Sequence, residues 1–207
     1  MGKPTVYYGG WEDSTLSVHT EIADLLSDFR SKMPVEEEAF FRCPSFLAWA
    51  KNKLVIKSAF DYSIYEDAID PESKVYAQWH KGEFMFFSDQ SVKMTVYPPF
   101  LERTNIQGAV GEFDIGKWLR PAGPASTLID GELHIQAGQP LLYVGFDRPV
   151  KLVRVIFPSE VEKLCKVALS YPRTKRASPL SRLYDKFLSS GLKRVVLNKI
   201  KTYNNIK

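Results

Sequence analysis

The chain is poor in the residues that build disulfide frameworks, metal centres and thiol or imidazole catalysis. Its 207 residues hold only two cysteines and three histidines. Cys43 and Cys165 stand far apart and make no metal-type spacing, which leaves no disulfide framework and points to a reduced, intracellular protein. No apolar run approaches the roughly 18 residues that a membrane-spanning helix needs. The opening MGKPTVYYGGWEDS has no apolar core of the secretory kind. Met1-Gly2 begins as an N-myristoylation signal does, but Val6 stands where that signal requires Ser or Thr. A cytoplasmic, non-secreted protein without a membrane partner is the expectation. Internal repeats, low-complexity tracts, a Gly-x-Ser-x-Gly elbow, a phosphate loop and a dinucleotide fingerprint are also missing. GGWEDS and GAVGEF are ordinary glycine turns.

What is present is apolar and aromatic. Hydrophobic residues make up 44% and aromatic residues 13%, with 13 prolines spread along the chain, which predicts a true core crossed by many turns. Charge is unevenly placed. Residues 173–207 carry ten Lys or Arg and one acid, Asp185, a net of +9, whereas the preceding 172 residues carry 18 basic and 23 acidic side chains, a net of −5. The C-terminal segment is thus a basic arm on a mildly acidic body.

Hydrophobic spacing assigns the elements. KPTVYYGGW opens with a short strand. Ile22, Leu25, Leu26 and Phe29 follow a helical period within SVHTEIADLLSDFRSKM, which Pro34 stops. A short helix over SFLAWA takes Ser45 as its N-cap and turns Phe46, Leu47, Trp49 and Ala50 inward. From Lys53 the period becomes two. Leu54 and Ile56, then Phe60, Tyr62 and Ile64, alternate with polar positions, with a register change near Ala59. KVYAQWH, EFMFFS, VKMTVY and GEFDI read as further strands, with a Lys81-Gly82 turn after the first. Three more strands follow between Thr127 and Phe157. Ala137-Gly138-Gln139-Pro140 makes HIQAGQPLLYVGF a hairpin in which His134 points away from Leu133 and Ile135. Ser159 N-caps a helix with Glu160 and Glu162 in its first turn. The arm holds two amphipathic helical runs separated by Ser189-Ser190-Gly191.

Four stretches resemble a group of uncharacterised proteins encoded by tailed bacteriophages of marine and cyanobacterial type. They are FFRCPSFLAWAKNKLVIKSAFDYSI, GEFDIGKWLRP, HIQAGQPLLYVGF and LYDKF…GLKRVVLNKIK, in that order and over about half of the chain. The resemblance implies a phage origin and a β-rich body, and supplies no catalytic residues. Gly138-Gln139-Pro140-Leu141-Leu142 is also similar to a strand–turn–strand of trimeric dUTPases and dCTP deaminases, where a Gly precedes a buried aliphatic run. The nucleotide-binding Arg-Ser and Asp-x-Gly-Tyr elements of those enzymes have no counterpart here, and Asp130-Gly131-Glu132 does not supply one.

Candidate sites are few. A metal reading takes His80, Glu83 and His134 as Fe(II) ligands in a cupin or 2-oxoglutarate-oxygenase manner, with Arg148 gripping a carboxylate. It needs the Lys81-Gly82 turn to bring His80 and Glu83 to one face, and the competing reading leaves His134 on the polar face of a strand. Cys43 precedes Pro44 at a helix start, where a thiol pKa falls, but no histidine is near it in sequence. Lys117, Trp118 and Arg120 lie together on an irregular stretch, where an aromatic beside a guanidinium can stack on a base or hold a carboxylate. The competing reading makes Trp118 a plug at the end of the sheet with Arg120 on its rim. The basic arm 173–207 suits a docked helix, a protein interface or, through phosphate contacts, nucleic acid.

These readings predict an α+β protein. An antiparallel β-sandwich or jelly-roll-like barrel, with its core sheet over about 53–157, forms a body of residues 1–172 with N-terminal helices, and 173–207 forms a helical arm. The functional expectation is a non-enzymatic binding or assembly protein that meets a protein partner, or another copy of itself, through Lys117–Arg120 and the C-terminal helices. It uses no cofactor. The alternative is the Fe(II)-dependent enzyme.

Overall fold

The structure, a computed structural model, describes residues 2–12, 22–32, 41–65, 75–76, 85–101, 106–108, 110–121, 126–128, 132–169, 185 and 187–206. Its strands are β1 (Thr5–Gly9), β2 (Ala23–Asp24), β3 (Lys53–Lys57), β4 (Tyr62–Tyr65), β5 (Val75–Tyr76), β6 (Met85–Ser88) and β7 (Lys93–Tyr97). They continue with β8 (Ile106–Gly108), β9 (Gly111–Asp114), β10 (Arg120–Pro121), β11 (Ser126–Leu128), β12 (Glu132–Ile135), β13 (Pro140–Phe146) and β14 (Lys151–Arg154). The helices are α1 (Leu25–Lys32), α2 (Pro44–Ala50), α3 (Ser159–Leu169) and α4 (Leu192–Tyr203). The chain is α+β, and the described strands close no barrel.

Two sheets carry the body. One has the order β10-β6-β1-β14 and the other β2-β3-β13-β7-β9. Period-two alternation splits each into two apolar faces. Val6, Tyr8 and Phe86 of the first sheet share a buried cluster with Ile56, Met94, Val96, Leu142 and Val144 of the second. The opposite face of the first sheet, with Tyr7, Met85 and Phe87, packs with Val161 of α3 and Val196 and Ile200 of α4. The opposite face of the second, with Val55 and Tyr143, packs with Leu25 and Leu26 of α1 and with α2. The order through the molecule is therefore helices, sheet, sheet, helices. Burial on both faces is why VYY, MFF and LLYV read as continuous apolar runs.

Several expectations are corrected. The pairing is not wholly antiparallel, because β1 runs parallel to β14 with Thr5 opposite Lys151. β1 also lies outside 53–157, yet it is an inner strand of its sheet. HIQAGQPLLYVGF is not a hairpin. β12 pairs with β4, whereas β13 pairs with β3 and β7. The stretch is one long arm antiparallel to 53–65, kinked at 136–139 opposite 58–61. Three bonds hold the kink: Ser58 N–H to Gln139 O, Gly138 N–H to Ser58 O, and Ala137 N–H to Asp61 Oδ1. Gly138, at φ +81°, allows it. The register change near Ala59 is the other half of the same kink.

Helix starts also differ. α1 begins at Leu25 because Ala23–Asp24 pairs with β3 and the Asp24 carboxylate accepts the Ser27 N–H at 3.0 Å. α2 is preceded by Cys43, with Pro44 in its first turn and Ser45 already inside the helix.

Candidate functional site

The structure brings the Lys117 loop against the C-terminal helices. After β9 the chain turns sharply. Asp114 Oδ1 accepts the Gly116 N–H at 3.0 Å, and Asp114 Oδ2 accepts the Ser91 hydroxyl at 2.6 Å. Gly116 is required by close approach, since a Cβ there would fall 1.9 Å from the Gln90 carbonyl oxygen. This turn exposes Lys117, whose Nζ lies 3.6 Å from Asp114 Oδ2, and drives Trp118 inward. Trp118 is 4% exposed and its ring lies 5.4 Å from that of Phe187, just ahead of α4. Lys193, in the first turn of α4, feels the carboxylates of Asp114 and Asp89. Desolvation nevertheless pulls its pKa below the usual lysine value.

α4 is fixed to the body along its inner side. Gly191, at φ +72°, ends the preceding turn and starts the helix. Val196 and Ile200 are fully buried, and Leu192, Leu197 and Ile206 pack around them. At the far end, Asn204 acts as a two-sided clasp. Its Oδ1 accepts the Ile156 N–H and its Nδ2 donates to the Ile156 carbonyl, both at 2.8 Å. Tyr203 donates its hydroxyl to Glu12 Oε1 at 2.9 Å, and Lys199 pairs with Glu160 of α3. Glu12 Oε2 also accepts the Ser159 N–H at 3.0 Å, so a residue from the N-terminal strand region satisfies a free amide at the start of α3. The Ser159 N–H, the Tyr203 hydroxyl and nearby Lys163 hold the Glu12 carboxyl below its ordinary pKa. Lys199 does the same for Glu160.

The outer side of α4 is a polar, cationic ridge. Arg194, Asn198, Lys201 and Asn205 follow one another at helical spacing. Asn198, Lys201, Thr202, Asn205 and Ile206 line an open depression. Arg194 and Lys201 make no ion pair with any described residue. Val195 flanks the ridge at 43% exposure.

The other predicted residues fall elsewhere. The backbone of Arg120 pairs with Phe86 in β10. Arg148 is exposed at the turn after β13, where its guanidinium engages the neighbouring Asp147 at 2.9 Å. That contact lowers the Asp147 pKa and raises that of Arg148. His134 is exposed on β12, with Nδ1 2.7 Å from Ser63 Oγ. His134 and Arg148 stand beyond opposite ends of the seven-residue β13, a separation of roughly 20 Å at strand rise, so they do not meet. His80 and Glu83 lie outside the described residues, as does the arm over 173–184. Among the described residues, no three His, Cys, Asp or Glu side chains gather at metal-binding separation. Cys43 is exposed. No described helix is long and apolar enough to cross a membrane.

Sequence reasoning missed Glu12, Asn204 and Lys193. Glu12 carried no local signal, because its partners are 147 and 191 residues away. Asn204, just past the last apolar position of the helix, was readable as a C-terminal cap but not as a clasp on Ile156.

Comparison with known proteins adds little. No family model matches the chain, and no curated protein matches it. Among solved structures, the native dUTPase of EIAV is similar at a TM-score of 0.36 and 11% identity, over 68% of this chain and 86% of that one. The likeness to a dUTPase is thus a weak structural one, and it places no residue of this chain in a catalytic role.

Proposed function

We propose that this is a non-enzymatic binding protein that recognises an acidic protein surface through the outward ridge of α4 and the adjoining Lys117 loop. One observation carries the reading: Arg194 and Lys201 make no ion pair with any described residue, and they stand on one side of a helix whose other side is locked into the core. A helix already held in place loses little further freedom on binding. The exposed Val195 beside the cations favours a protein partner over a phosphate backbone, because protein interfaces combine apolar anchors with a charged rim. The acidic body of a second copy is one such surface, which makes self-association part of the same reading. The resemblance to tailed-phage proteins suggests an assembly role in the host cytoplasm, and a two-sheet sandwich serves as the rigid support for the ridge.

The test is the double charge reversal Arg194→Glu with Lys201→Glu. Binding of the full chain to a fluorescent poly-glutamate peptide and to a duplex DNA of equal charge is followed by anisotropy across a salt series, with light scattering for size. The wild type is expected to bind poly-glutamate in a salt-dependent manner, and the variant to lose about tenfold, or ~1.4 kcal/mol. Equal binding by variant and wild type would remove the ridge from the site. Tighter binding to DNA than to the peptide at matched salt would replace the protein partner with nucleic acid.

A further inference from the structure

On the opposite side of the body, Lys53 is buried with no counter-ion among the described residues. Lys53 opens β3 and pairs in register with Gly145 of β13. It is 8% exposed. Its side chain lies across the space that a residue at 145 would fill. A Cβ there would fall 2.6 Å from Lys53 Cδ, 2.8 Å from Cε and 2.9 Å from Nζ. The Nζ comes to 5.0 Å from the centroid of the Trp49 ring and 5.4 Å from that of Tyr97.

The nearby acids are committed elsewhere. α2, with the sequence PSFLAWA, contains none. On β2, Asp24 sits opposite Leu54 and its carboxylate is bound to the Ser27 N–H. On α1, Asp28 faces Lys57 and Lys32. On β7 and β13 the neighbours on this face are Thr95, Tyr97 and Tyr143. Among the described residues, Lys53 therefore has aromatic faces and no carboxylate. Desolvation alone acts on its pKa, and lowers it.

A structural lysine stem covering apolar surface keeps its ammonium in water. Here the head group is instead drawn against two ring faces, with little water around it. Phe100 adds a shelf. It is 53% exposed, and its ring lies 5.4 Å from that of Trp49.

We propose that Lys53 is a nucleophilic amine site that takes up aromatic aldehydes as an imine on its Nζ. The Nζ lone pair attacks the carbonyl carbon, and a proton passes from nitrogen to the former carbonyl oxygen. Loss of that oxygen as water then leaves a C=N bond. An aldehyde and an amine give an imine and water, with no oxidant or reductant consumed. Trp49, Tyr97 and Phe100 select an aromatic substituent over a charged one.

The experiment treats the full-length protein at neutral pH with benzaldehyde and cyanoborohydride, which reduces any imine to a stable secondary amine. Peptide mapping by mass spectrometry then gives the rate at each lysine. Lys53 is expected to be benzylated several-fold faster than exposed Lys3 and Lys117, and glyoxylate in place of benzaldehyde is expected to show no such preference. Gly145→Ala, which displaces the side chain, is expected to abolish the Lys53 preference while leaving the other lysines unchanged. Tyr97→Leu serves as a second variant with the same expectation should Gly145→Ala fail to fold. Labelling of Lys53 no faster than Lys117, or a preference that survives the folded variants, would overturn the proposal. Equal preference with glyoxylate would overturn its aromatic selectivity.

Discussion

Truncating Ile200 to alanine measures how firmly α4 belongs to the core. Ile200 is fully buried among residues from β1, β6, α3 and the chain around Trp118 and Phe187. The last turn of α4 is clasped to Ile156 by Asn204 and to Glu12 by Tyr203, so the helix is not free to close the resulting void. Buried Ile→Ala changes cost about 2–5 kcal/mol, and a site with little room to relax falls near ~3 kcal/mol or above. For a chain of this size each kcal/mol moves Tm by about 2–4 °C, so Ile200→Ala is expected to melt roughly 6–12 °C below wild type. Thermal unfolding followed by near-UV circular dichroism is the assay, since Trp118 packs on Phe187 and Trp11 on Phe157 within this same cluster. Val195→Ala, one turn away on the exposed side, is the control and is expected to change stability by less than about 0.5 kcal/mol. A loss at Ile200 no larger than at Val195 would refute the packing of α4 and, with it, the rigid ridge.

Three further outcomes follow from the same geometry. Gly116→Ala places a Cβ against the Gln90 and Ser91 backbone, with no flexible side chain to give way. A loss of about 2–3 kcal/mol in denaturant titration is expected, and a neutral result would mean that the Lys117 turn is not held as described. The Glu12 carboxyl is held below its ordinary value of 4.5, so the stability it contributes is present above that pH and is lost as pH falls through the lower folded value. Glu12→Gln should flatten the acid side of the stability profile, and an unchanged profile would show that the carboxylate does not secure α3 to α4. Lys53 has the opposite sign: its folded pKa lies below 10.5, so the wild type gains stability as pH rises through the folded value toward 10.5. The stability difference between Lys53→Met and wild type should therefore move in favour of wild type from pH 7 to 10, and a pH-independent difference would show that Lys53 is not desolvated.

Local pattern carried much of the architecture. The continuous apolar runs VYY and MFF, the alternation in KMTVY, the helical spacing of Leu25, Leu26 and Phe29, and the Gly191 break before α4 all depend on residues within one or two turns of each other, and each is present in the fold. The inward direction of Trp49 and Ala50 followed from the same periodicity. The candidate site was legible only in part. Lys117, Trp118 and the C-terminal helix stood out by composition, but their adjacency did not, because it depends on a Trp118–Phe187 contact across 69 residues.

The residues by themselves determined where apolar faces form, where the chain turns and which segment is basic, because periodicity, glycine freedom and charge are local properties. Tertiary structure alone decided what each face meets. The bonds of Ser58 and Asp61 turn the apparent AGQP hairpin into a kink, and the parallel pairing of β1 with β14 needs both ends of the body in place. Lys53 is neither unusual in its own stretch nor near Gly145 in sequence. It becomes a buried amine with no described carboxylate beside it only when register sets it opposite a residue with no side chain, beneath Trp49 and Tyr97.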